Sequence, residues 1–326
     1  MNLIFYNILC LSILTLFYYN SKKISVFTSL YKKINDDTPL VGGLGIYLFF
    51  IFGILNLYIS EKIYIFENFS IIILMTCIFI IGLLDDIFNI NYKIRLLSIF
   101  LIIFIFLKID NRFIINYLYF ESLNKTFVLG NLSFFITPFF FMLLLNSINM
   151  ADGINGNSGI IFLIFFLLMF NSNNELNLFL ILLVPALVIF LIFNFKNILY
   201  LGDSGVYFLS IFMSLYITNR YNSINSNLSC EEIFLILMIP GIDMFRLFCI
   251  RIYQKKNPFK GDLNHLHHLL IRKFNLLKSL MIYSFLISWP FVFKLLFAII
   301  DLNLILLNLI FYSILILYLK NKLKFY

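Results

Sequence analysis

The sequence predicts an all-α, polytopic integral membrane protein, and three observations support this fold class. Of the 326 residues, 62% are hydrophobic and 12% are charged, and the mean hydropathy is +0.99. The apolar residues form about eleven long runs, and the charged residues concentrate between those runs. This composition excludes a water-soluble domain.

Each apolar run is interpreted as one transmembrane helix, because a span needs roughly 20 apolar residues and a helix satisfies its own backbone polar groups in lipid. The predicted spans lie near residues 2–19, 41–60, 69–84, 94–109, 132–147, 159–171, 177–195, 205–219, 232–252, 279–299 and 302–320. No linker rich in proline or glycine and no internal repeat divides the chain. We therefore expect residues 1–326 to form a single membrane domain.

The charges between the spans predict the orientation in the membrane. One set of connections is basic, with Lys22, Lys23, Lys32, Lys33, Lys93, Arg95, Lys196, Arg251, Lys255, Lys256, Lys260, Arg272, Lys273, Lys278, Lys320, Lys322 and Lys324. The other set has only five basic residues, Lys62, Lys108, Arg112, Lys125 and Arg220, together with the acidic residues Glu61, Glu67, Asp110, Glu121, Glu175, Glu231, Glu232 and Asp301. The basic set is predicted to be cytoplasmic. An odd number of spans then places the N-terminus outside and the C-terminus in the cytoplasm.

The net charge of +8 follows from this topology and from attraction to anionic lipid, so it does not indicate nucleic-acid binding. The four cysteines form no CxxC pair and indicate neither a disulfide framework nor a zinc site. Every aspartate motif and all three histidines fall in the predicted cytoplasmic connections. We therefore expect one active site at the cytoplasmic face, assembled from several loops.

The first polar motif ends an apolar span with two adjacent carboxylates, Asp85 and Asp86. Two like charges in a poorly solvated place are unfavourable unless a cation or a metal-bound phosphate is near. Arg95 follows within three turns and suits phosphate oxygens. A solvated helix end is the alternative interpretation.

The second motif is the polar stretch from Asn146 to Gly159, which lies between two apolar runs. It contains four asparagines, one aspartate, two serines and three glycines. Such groups at a membrane surface are costly unless they bind something, and glycines let backbone N–H groups approach a ligand. Oxygen-rich side chains suit Mg²⁺ and phosphate-bearing substrates. A polar turn between two helices is the alternative.

The third motif, Gly202-Asp203-Ser204-Gly205, places one carboxylate on a turn just before a span. That carboxylate is a candidate ligand for a hard metal ion, although an Asx-turn explains the pattern equally well. Tyr200, three residues earlier, offers a ring on which a base could stack.

The fourth motif contains all three histidines, His265, His267 and His268, within four positions of the longest cytoplasmic loop. Contact with a diphosphate is favoured over a zinc site, because no cysteine is near and no HExxH pattern exists. A histidine tract without function is the remaining alternative. Asp243 in the preceding span, with Arg246 nearby, is predicted to form a buried ion pair that supports the site.

Together these motifs resemble the polyprenyl-phosphate N-acetylhexosamine-1-phosphate transferases, a superfamily that includes a WecA-like branch and the MraY translocases. The resemblance covers roughly residues 32–270 and rests on ordered motifs. These are Thr38-Pro39-Leu40-Val41-Gly42-Gly43, Asp85-Asp86, the asparagine-rich stretch, Gly202-Asp203-Ser204-Gly205 and His265-Leu266-His267-His268. The chain departs from the family at Asn155, where Asp is frequent, and at Val206, where Ser is common.

The resemblance, closest to the WecA-like branch, implies transfer of a sugar 1-phosphate from a UDP-N-acetylhexosamine to undecaprenyl phosphate or a similar polyprenyl phosphate. The products would be a polyprenyl-diphospho-sugar and UMP, and the reaction would initiate a cell-envelope polysaccharide such as an O-antigen or lipopolysaccharide. Mg²⁺, with Mn²⁺ as a substitute, is the implied cofactor. Membrane lipid is an expected partner, and a homodimer is a further expectation from the family.

The resemblance also implies roles for individual residues. Asp85, Asp86 and Asp203 are the expected catalytic residues, and Asp203 and Asn149 are the expected metal ligands. The expected substrate-binding residues are Asn146, Asn149, Asp152, Asn155, Asn194, Tyr200, Arg95, His265, His267 and His268. Whether Asp85 or Asp86 acts as a base or both only organise charge stays open.

Two alternatives compete with this function. One is an MraY-like phospho-N-acetylmuramoyl-pentapeptide transferase. The other, from a different class, is a membrane transporter or flippase with a polar vestibule at the cytoplasmic side. The transporter is disfavoured because the charged groups cluster at span ends on one predicted face.

Overall fold

The computed structural model describes residues 3–20, 38–60, 68–172, 174–223, 228–258 and 262–323, and these residues are mainly helical. The α-helices are Leu3–Asn20 (α1), Gly42–Ser60 (α2), Phe69–Phe88 (α3), Tyr92–Ile109 (α4), Ser133–Ala151 (α5), Asn157–Met169 (α6), Asn177–Phe195 (α7), Gly202–Asn222 (α8), Cys230–Tyr253 (α9), Leu266–Ile271 (α10), Leu276–Phe297 (α11) and Asp301–Leu323 (α12). Two short 3₁₀ helices cover Asn111–Phe113 and Gly130–Leu132.

Six helices in the described ranges are long and apolar enough to cross a membrane. They are Phe69–Phe88, Gly130–Ala151, Asn177–Phe195, Cys230–Tyr253, Leu276–Phe297 and Asp301–Lys320, and the apolar helices Gly42–Tyr58 and Asn157–Met169 are shorter. The prediction of a helical, polytopic membrane protein is therefore confirmed. Each of the eleven predicted apolar runs coincides with one helix, but length and hydropathy support spanning for only six of these helices.

A two-stranded antiparallel hairpin, which the all-α prediction did not include, lies between α4 and α5. Its strands are Tyr117–Phe120 (β1) and Lys125–Val128 (β2), and Tyr117 pairs with Val128. Contacts fix the hairpin to the helices: the Tyr221 hydroxyl in α8 accepts the Tyr119 N–H at 2.7 Å. The Glu231 carboxylate in α9 accepts the Ser122 hydroxyl at 2.7 Å.

Helix α8 is the most enclosed helix of the fold, with buried residues at every position from Ser204 to Thr218. It packs most extensively on α3 and also contacts α2, α5 and α6. Its interior polar groups are partly satisfied within the helix, because the hydroxyls of Ser214 and Thr218 donate to carbonyls one turn earlier, at 3.0 and 2.9 Å. This helix therefore lies at the centre of the helical core.

The helices define two ends of the molecule. Helices α3, α5 and α7 end on one side, where α8 begins and α9 leads into α10; we call this the site end. The hairpin lies at the other end, where Lys294 of α11 binds Asp301 of α12 at 2.9 Å and Glu232 of α9 at 3.2 Å. All four predicted motifs are consequently close to the site end.

The predicted separation of charges follows these ends among the described residues. The connections and helix ends at the site end contain eleven described basic residues, namely Lys93, Arg95, Lys196, Arg251, Lys255, Lys256, Arg272, Lys273, Lys278, Lys320 and Lys322. The hairpin end contains fewer, Lys108, Arg112, Lys125, Arg220 and Lys294, together with Asp110, Glu121, Glu175, Glu231, Glu232 and Asp301. Lys22, Lys23, Lys32, Lys33, Lys62, Lys260, Lys324, Glu61 and Glu67 lie outside the described residues.

Candidate active site

The adjacent aspartates Asp85 and Asp86 are both buried, at 2% and 5% exposure, but they bind different partners. Asp85 forms an ion pair with Arg95 of α4, with 2.5 Å between Oδ2 and Nη1. Asp86 accepts the backbone N–H groups of Asp203 and Ser204, at 2.8 and 3.0 Å. Because the first N–H groups of a helix have no partner within the helix, the Asp86 carboxylate satisfies the positive end of α8.

Gly202 allows this contact between α3 and the start of α8. Its φ is +76°, a left-handed conformation that glycine adopts without strain. A Cβ at this position would also lie 2.7 Å from Oδ2 of Asp86. The glycine before Asp203 is therefore required both by the backbone and by the carboxylate that it faces.

Tyr207, one turn into α8, was not predicted because it lies within an apolar run. Its ring lies beneath the Arg95 guanidinium, with 5.8 Å from Cζ to the ring centroid. The buried hydroxyl has no hydrogen-bond partner among the described residues, and it lies within electrostatic range of Asp85, Asp86 and Asp203. Tyr207 thus belongs to the same charged cluster as the aspartates. The one sequence signal for this placement is that Tyr207 follows Asp203 by one helical turn and therefore lies on the same side of α8.

The asparagine-rich stretch is mostly helical. Residues 146–151 continue α5, and Asn157 begins α6, so the connecting loop is only Asp152 to Gly156; we call it the asparagine loop. Asn157 donates from its side chain to the carbonyl of Ala151 at 2.7 Å. The predicted spans ended earlier because hydropathy follows apolar residues and not the backbone, which asparagines can continue.

Asn194 at the end of α7 joins the asparagine loop to the segment before α8. Its side-chain oxygen accepts the Gly156 N–H at 2.6 Å, and its side-chain nitrogen donates to the carbonyl of Leu199 at 2.9 Å. The Asn155 side chain donates to that of Asn197. Both interactions hold the loop against the connection that contains Tyr200.

Asp152, the only carboxylate in the asparagine loop, forms no ion pair within the described part of the chain but accepts a hydrogen bond from the Ser158 hydroxyl. Burial, opposed by the Ser158 hydrogen bond and assisted by the charge of Asp86, raises the pKa of Asp152 to about 6. A buried carboxylate of this kind is stabilised by a cation or by a hydrogen-bond donor of a ligand.

A cavity of about 380 Å³ brings most of the predicted site together. It is lined by Leu40, Asp86, Asp152, Gly153, Ile154, Asn155, Asn194, Tyr200, Leu201, Gly202 and Asp203. Tyr200 is held there by its backbone, which donates to the Pro39 carbonyl at 2.9 Å and accepts the Gly42 N–H at 2.9 Å. The motif from Thr38 to Gly43 therefore contacts the segment that leads into α8.

Asn146 and Asn149 are not among the residues that line this cavity. Both lie on α5 before the asparagine loop, and the Asn146 side chain donates to the Met142 carbonyl of its own helix at 2.8 Å. The structure brings together Asp86, Asp152, Asn155, Asn194, Tyr200 and Asp203 along one cavity. It places Asp85 and Arg95 beside that cavity, through the contacts of Asp86 and Tyr207.

The histidine segment, residues 265–268, packs against the asparagine loop. His265 and His267 are buried, and a Cβ on Gly153 would collide with the ring nitrogens of His267 and His268. Gly153 therefore permits this close contact. The ring of His267 lies 5.6 Å from that of His265 and 4.1 Å from that of His268, measured between centroids.

The electrostatic state of the histidines follows from this packing. Burial, together with the neighbouring His268 and His265, lowers the pKa of His267 to about 3, so this ring is neutral at pH 7. Burial and the proximity of His265 also lower the pKa of His268. Neither ring nitrogen of His267 has a hydrogen-bond partner within the described ranges.

The donor groups of the cavity fit a magnesium ion that is bound mainly by substrate oxygens. The carboxylates of Asp86, Asp152 and Asp203 line the same space, and Mg²⁺ prefers one or two carboxylates together with phosphate oxygens and water. No three acidic, histidine or cysteine side chains among the described residues converge closely enough to hold a metal ion by themselves. The site therefore does not resemble one in which protein side chains alone coordinate the metal ion.

A second, apolar cavity of about 500 Å³ lies between α5, α8 and α9. Its walls include Phe140, Leu144, Ile217, Leu237 and Phe245. These side chains offer an aliphatic and aromatic surface that suits a hydrocarbon chain. The same helices reach the site end through Ala151, Gly202 and Tyr253.

Comparison with known proteins gives consistent matches. Residues 68–219, which contain both aspartate motifs and the asparagine loop, match the family model of glycosyl transferase family 4. The chain is 30% identical over 274 residues to the undecaprenyl-phosphate alpha-N-acetylglucosaminyl 1-phosphate transferase of Thermotoga maritima, covering 81% of this chain and 78% of that protein. The protein of the same name from Escherichia coli strain K12 is 26% identical over 284 residues, covering 79% and 73%. The one from Yersinia pestis is 25% identical over 281 residues, covering 78% and 73%.

Proposed function

The chain belongs to glycosyl transferase family 4, and from this membership we propose that it transfers N-acetylhexosamine 1-phosphate from a UDP-sugar to undecaprenyl phosphate. The supporting observation is one cavity lined by three carboxylates and a tyrosine, Asp86, Asp152, Asp203 and Tyr200. The products are polyprenyl-diphospho-sugar and UMP. The reaction initiates the synthesis of a cell-envelope polysaccharide such as an O-antigen or lipopolysaccharide.

The chemistry joins two anions. An oxygen of the lipid phosphate attacks the β-phosphorus, which bears the sugar, and the bond from that phosphorus to the oxygen of UMP breaks. A lipid phosphate is already largely ionised at neutral pH, so the attack requires charge neutralisation and alignment more than a strong base. Arg95 supplies a cation beside Asp85, and Asp86 fixes the turn that contains Asp203. These three aspartates are the proposed catalytic residues.

The proposed cofactor is Mg²⁺, with Mn²⁺ as a substitute, which when bound neutralises charge on the diphosphate oxygens. Asp203 is the proposed ligand supported by the lining of the cavity. Asn149 lies outside that lining, so its role as a second ligand rests on the family resemblance alone.

The proposed substrate contacts divide between the nucleotide and the phosphates. Tyr200, Asn155, Asp152 and Asn194 line the cavity and are assigned to the uridine. Arg95, His265, His267 and His268 are assigned to the phosphates or the sugar, and the histidines lie next to the asparagine loop through Gly153. The assignment of Asn146 rests on the resemblance only. The apolar cavity between α5, α8 and α9 is the proposed place of the polyprenyl chain.

The proposed setting is the inner membrane, with all eleven predicted runs crossing it as one domain and the site end in the cytoplasm. The excess of lysine and arginine at the site end supports this orientation. The N-terminus would then be outside and the C-terminus in the cytoplasm. A homodimer is part of the proposal only by analogy with the family.

Cysteine accessibility tests this orientation. In a background without the native cysteines, Asn124→Cys in the hairpin turn should react with an impermeant maleimide in intact cells. Lys256→Cys after α9 should react only after the membrane is opened. Reaction of Lys256→Cys from outside intact cells would contradict the orientation.

The function is tested by incubating the purified protein with undecaprenyl phosphate, Mg²⁺ and a panel of radiolabelled UDP-sugars. The panel contains UDP-N-acetylglucosamine, UDP-N-acetylgalactosamine and UDP-N-acetylmuramoyl-pentapeptide. Transfer of label from an N-acetylhexosamine to the lipid fraction, dependent on undecaprenyl phosphate, is expected. Labelling only by the pentapeptide substrate would support the MraY-like alternative. Absence of labelled lipid with every donor would refute the proposed reaction, and a transporter assay would then be needed.

A further inference from the structure

A buried hydrogen-bond cluster connects the histidine segment to the last described helix. It consists of Asp243 and Arg246 of α9, His265 and Tyr312, which lies on α12. Asp243 and Tyr312 are each 3% exposed. Neither residue lies in the segment that matches the family model, and Tyr312 belongs to none of the four motifs.

One oxygen of Asp243 determines how the histidine segment begins. Oδ2 lies 2.9 Å from Nδ1 of His265 and accepts the backbone N–H of Leu266 at 3.0 Å. Asp243 also forms an ion pair with Arg246 at 2.8 Å, as predicted. Because a carboxylate paired with a guanidinium only accepts hydrogen bonds, the proton on this side of His265 must be on Nδ1. Nε2 is then the ring nitrogen that remains for a substrate.

The other oxygen of Asp243 is held by α12. The Tyr312 hydroxyl donates to Oδ1 at 2.7 Å and accepts the Nε–H of Arg246 at 2.8 Å. Arg246 donates in addition to the carbonyl of Asn264, the residue before His265, at 2.7 Å. The single hydroxyl of Tyr312 thus orients both the Asp243 carboxylate and the Arg246 guanidinium, which contact the histidine segment.

We propose that Tyr312 is a positioning residue for the reaction, which acts through Asp243 to fix the ring of His265 toward the substrate. This inference rests on the proposed function in one respect, the assignment of His265 to the phosphates. A tautomer fixed by a carboxylate is a common way to orient an imidazole. If the hydroxyl is lost, the Asp243 carboxylate keeps its ion pair with Arg246 but loses one of the hydrogen bonds that fix its orientation. The ring of His265 can then rotate more freely.

The first test measures the position of His265 without any substrate. All three histidines of the chain lie in this segment, so acylation by diethyl pyrocarbonate reports on it directly when the protein is purified without a polyhistidine tag. Tyr312→Phe keeps the ring and removes only the hydroxyl. We expect its His265 to be acylated faster than in the wild type, on the order of tenfold, the size expected for one lost hydrogen bond to a charged group.

Two further variants make this test decisive. Asp243→Asn should increase acylation of His265 at least as much, because it removes the negative charge that pairs with Arg246 and replaces one of the two acceptor oxygens with an N–H donor. Tyr253→Phe, a matched change at an exposed tyrosine of α9, should leave the rate at the wild-type value. An unchanged rate in Tyr312→Phe, or an equal increase in Tyr253→Phe, would overturn the inference.

The second test is a double-mutant cycle on the KM for the UDP-sugar. Tyr312→Phe should raise this KM several-fold in the wild-type background and leave it unchanged in a His265→Ala background, because the effect requires His265. Equal effects in both backgrounds would show that Tyr312 acts independently and would overturn the inference. If the wild type transfers no sugar phosphate, the proposed function fails, whereas the acylation comparison still decides whether Tyr312 positions His265.

Discussion

The carboxylate of Asp86 accepts the backbone N–H of Asp203 at 2.8 Å, across 117 positions of sequence. The second member of the aspartate pair therefore holds the first turn of α8, on which Asp203 lies. Its neighbour Asp85 is instead paired with Arg95. Two adjacent identical residues thus have separate roles, one in fixing the turn of another carboxylate and one in fixing a cation.

The first prediction concerns stability. Asp86→Ala should lower the free energy of unfolding by about 1–2 kcal/mol, because two N–H groups at the start of α8 lose their acceptor and the helix end loses a negative charge. Asp86→Asn keeps one acceptor oxygen, so its free energy of unfolding should lie between those of the wild type and Asp86→Ala. Thermal unfolding in detergent measures this order. Wild-type stability in both variants would contradict the capping role.

The second prediction concerns the metal. Asp203→Asn keeps the shape and removes the charge, so it should reduce turnover about a thousandfold if this carboxylate is the main protein ligand. EDTA should abolish transfer, and Mg²⁺ or Mn²⁺ should restore it.

The same substitution at Asp262 is the matched control for the metal prediction. Its carboxylate accepts from Arg251 at 2.9 Å and from the Asn264 N–H at 2.7 Å, so Asp262→Asn should cost far less activity. Near-normal turnover of Asp203→Asn at saturating Mg²⁺ would assign the metal to another carboxylate of the cavity.

The third prediction concerns the nucleotide. Tyr200→Ala should make the free energy of UMP binding, measured from the inhibition constant, less favourable by about 1–3 kcal/mol. This is the range for loss of one base–aromatic stacking contact. Tyr200→Phe retains the ring and should be inhibited as the wild type is. If both variants bind UMP normally, the uracil does not stack on this ring.

The fourth prediction concerns pH. The pKa of Asp152 is raised in the folded state to about 6 from 3.8, so the folded state binds this proton more tightly than the unfolded state. The resulting stabilisation is complete below the unfolded pKa and is lost as the pH rises through the folded one. Asp152→Asn, which does not titrate, should therefore gain stability relative to the wild type between about pH 4 and pH 7, by on the order of 1–3 kcal/mol.

Thermal unfolding at both ends of that pH range, with EDTA and without nucleotide, measures the difference, because a bound cation would itself stabilise the charged form. Ser158→Ala, which removes the hydroxyl that opposes the rise, should enlarge the pH dependence. A difference in stability between the wild type and Asp152→Asn that does not change with pH would show that Asp152 has the same pKa in the folded and unfolded states.

Composition was sufficient to predict eleven of the twelve described α-helices, because lipid permits little else, whereas the short helix α10 lies in a segment predicted as a loop. Each predicted run coincides with a helix, while some ends differ: α5 continues beyond residue 147 to Ala151, and α3 continues beyond residue 84 through Asp85 and Asp86 to Phe88. Hydropathy stops where polar side chains begin, whereas helical hydrogen bonding continues. The hairpin was missed because its four-residue strands are fixed by distant partners, Tyr221 and Glu231.

The cavity was predicted in part for a similar reason. Motifs dense in polar residues within apolar sequence, such as the one with Asp152, must meet at a shared surface, and this chain brings six of the predicted residues to one cavity. The contacts of Tyr207 with Arg95 and of Tyr312 with Asp243 could not be predicted. Each depends on how two helices far apart in sequence are rotated about their axes, which no local pattern reports.

The enclosure of α8 has a consequence for biosynthesis. This helix is buried along nearly its whole length but is not among the six whose length and hydropathy suit an independent membrane span. A nascent chain therefore gains little by moving α8 alone into lipid and much by placing it against α3, which is already translated. Because that pairing also brings Asp203 to Asp86, the packing that buries α8 is the same packing that assembles these carboxylates of the candidate site.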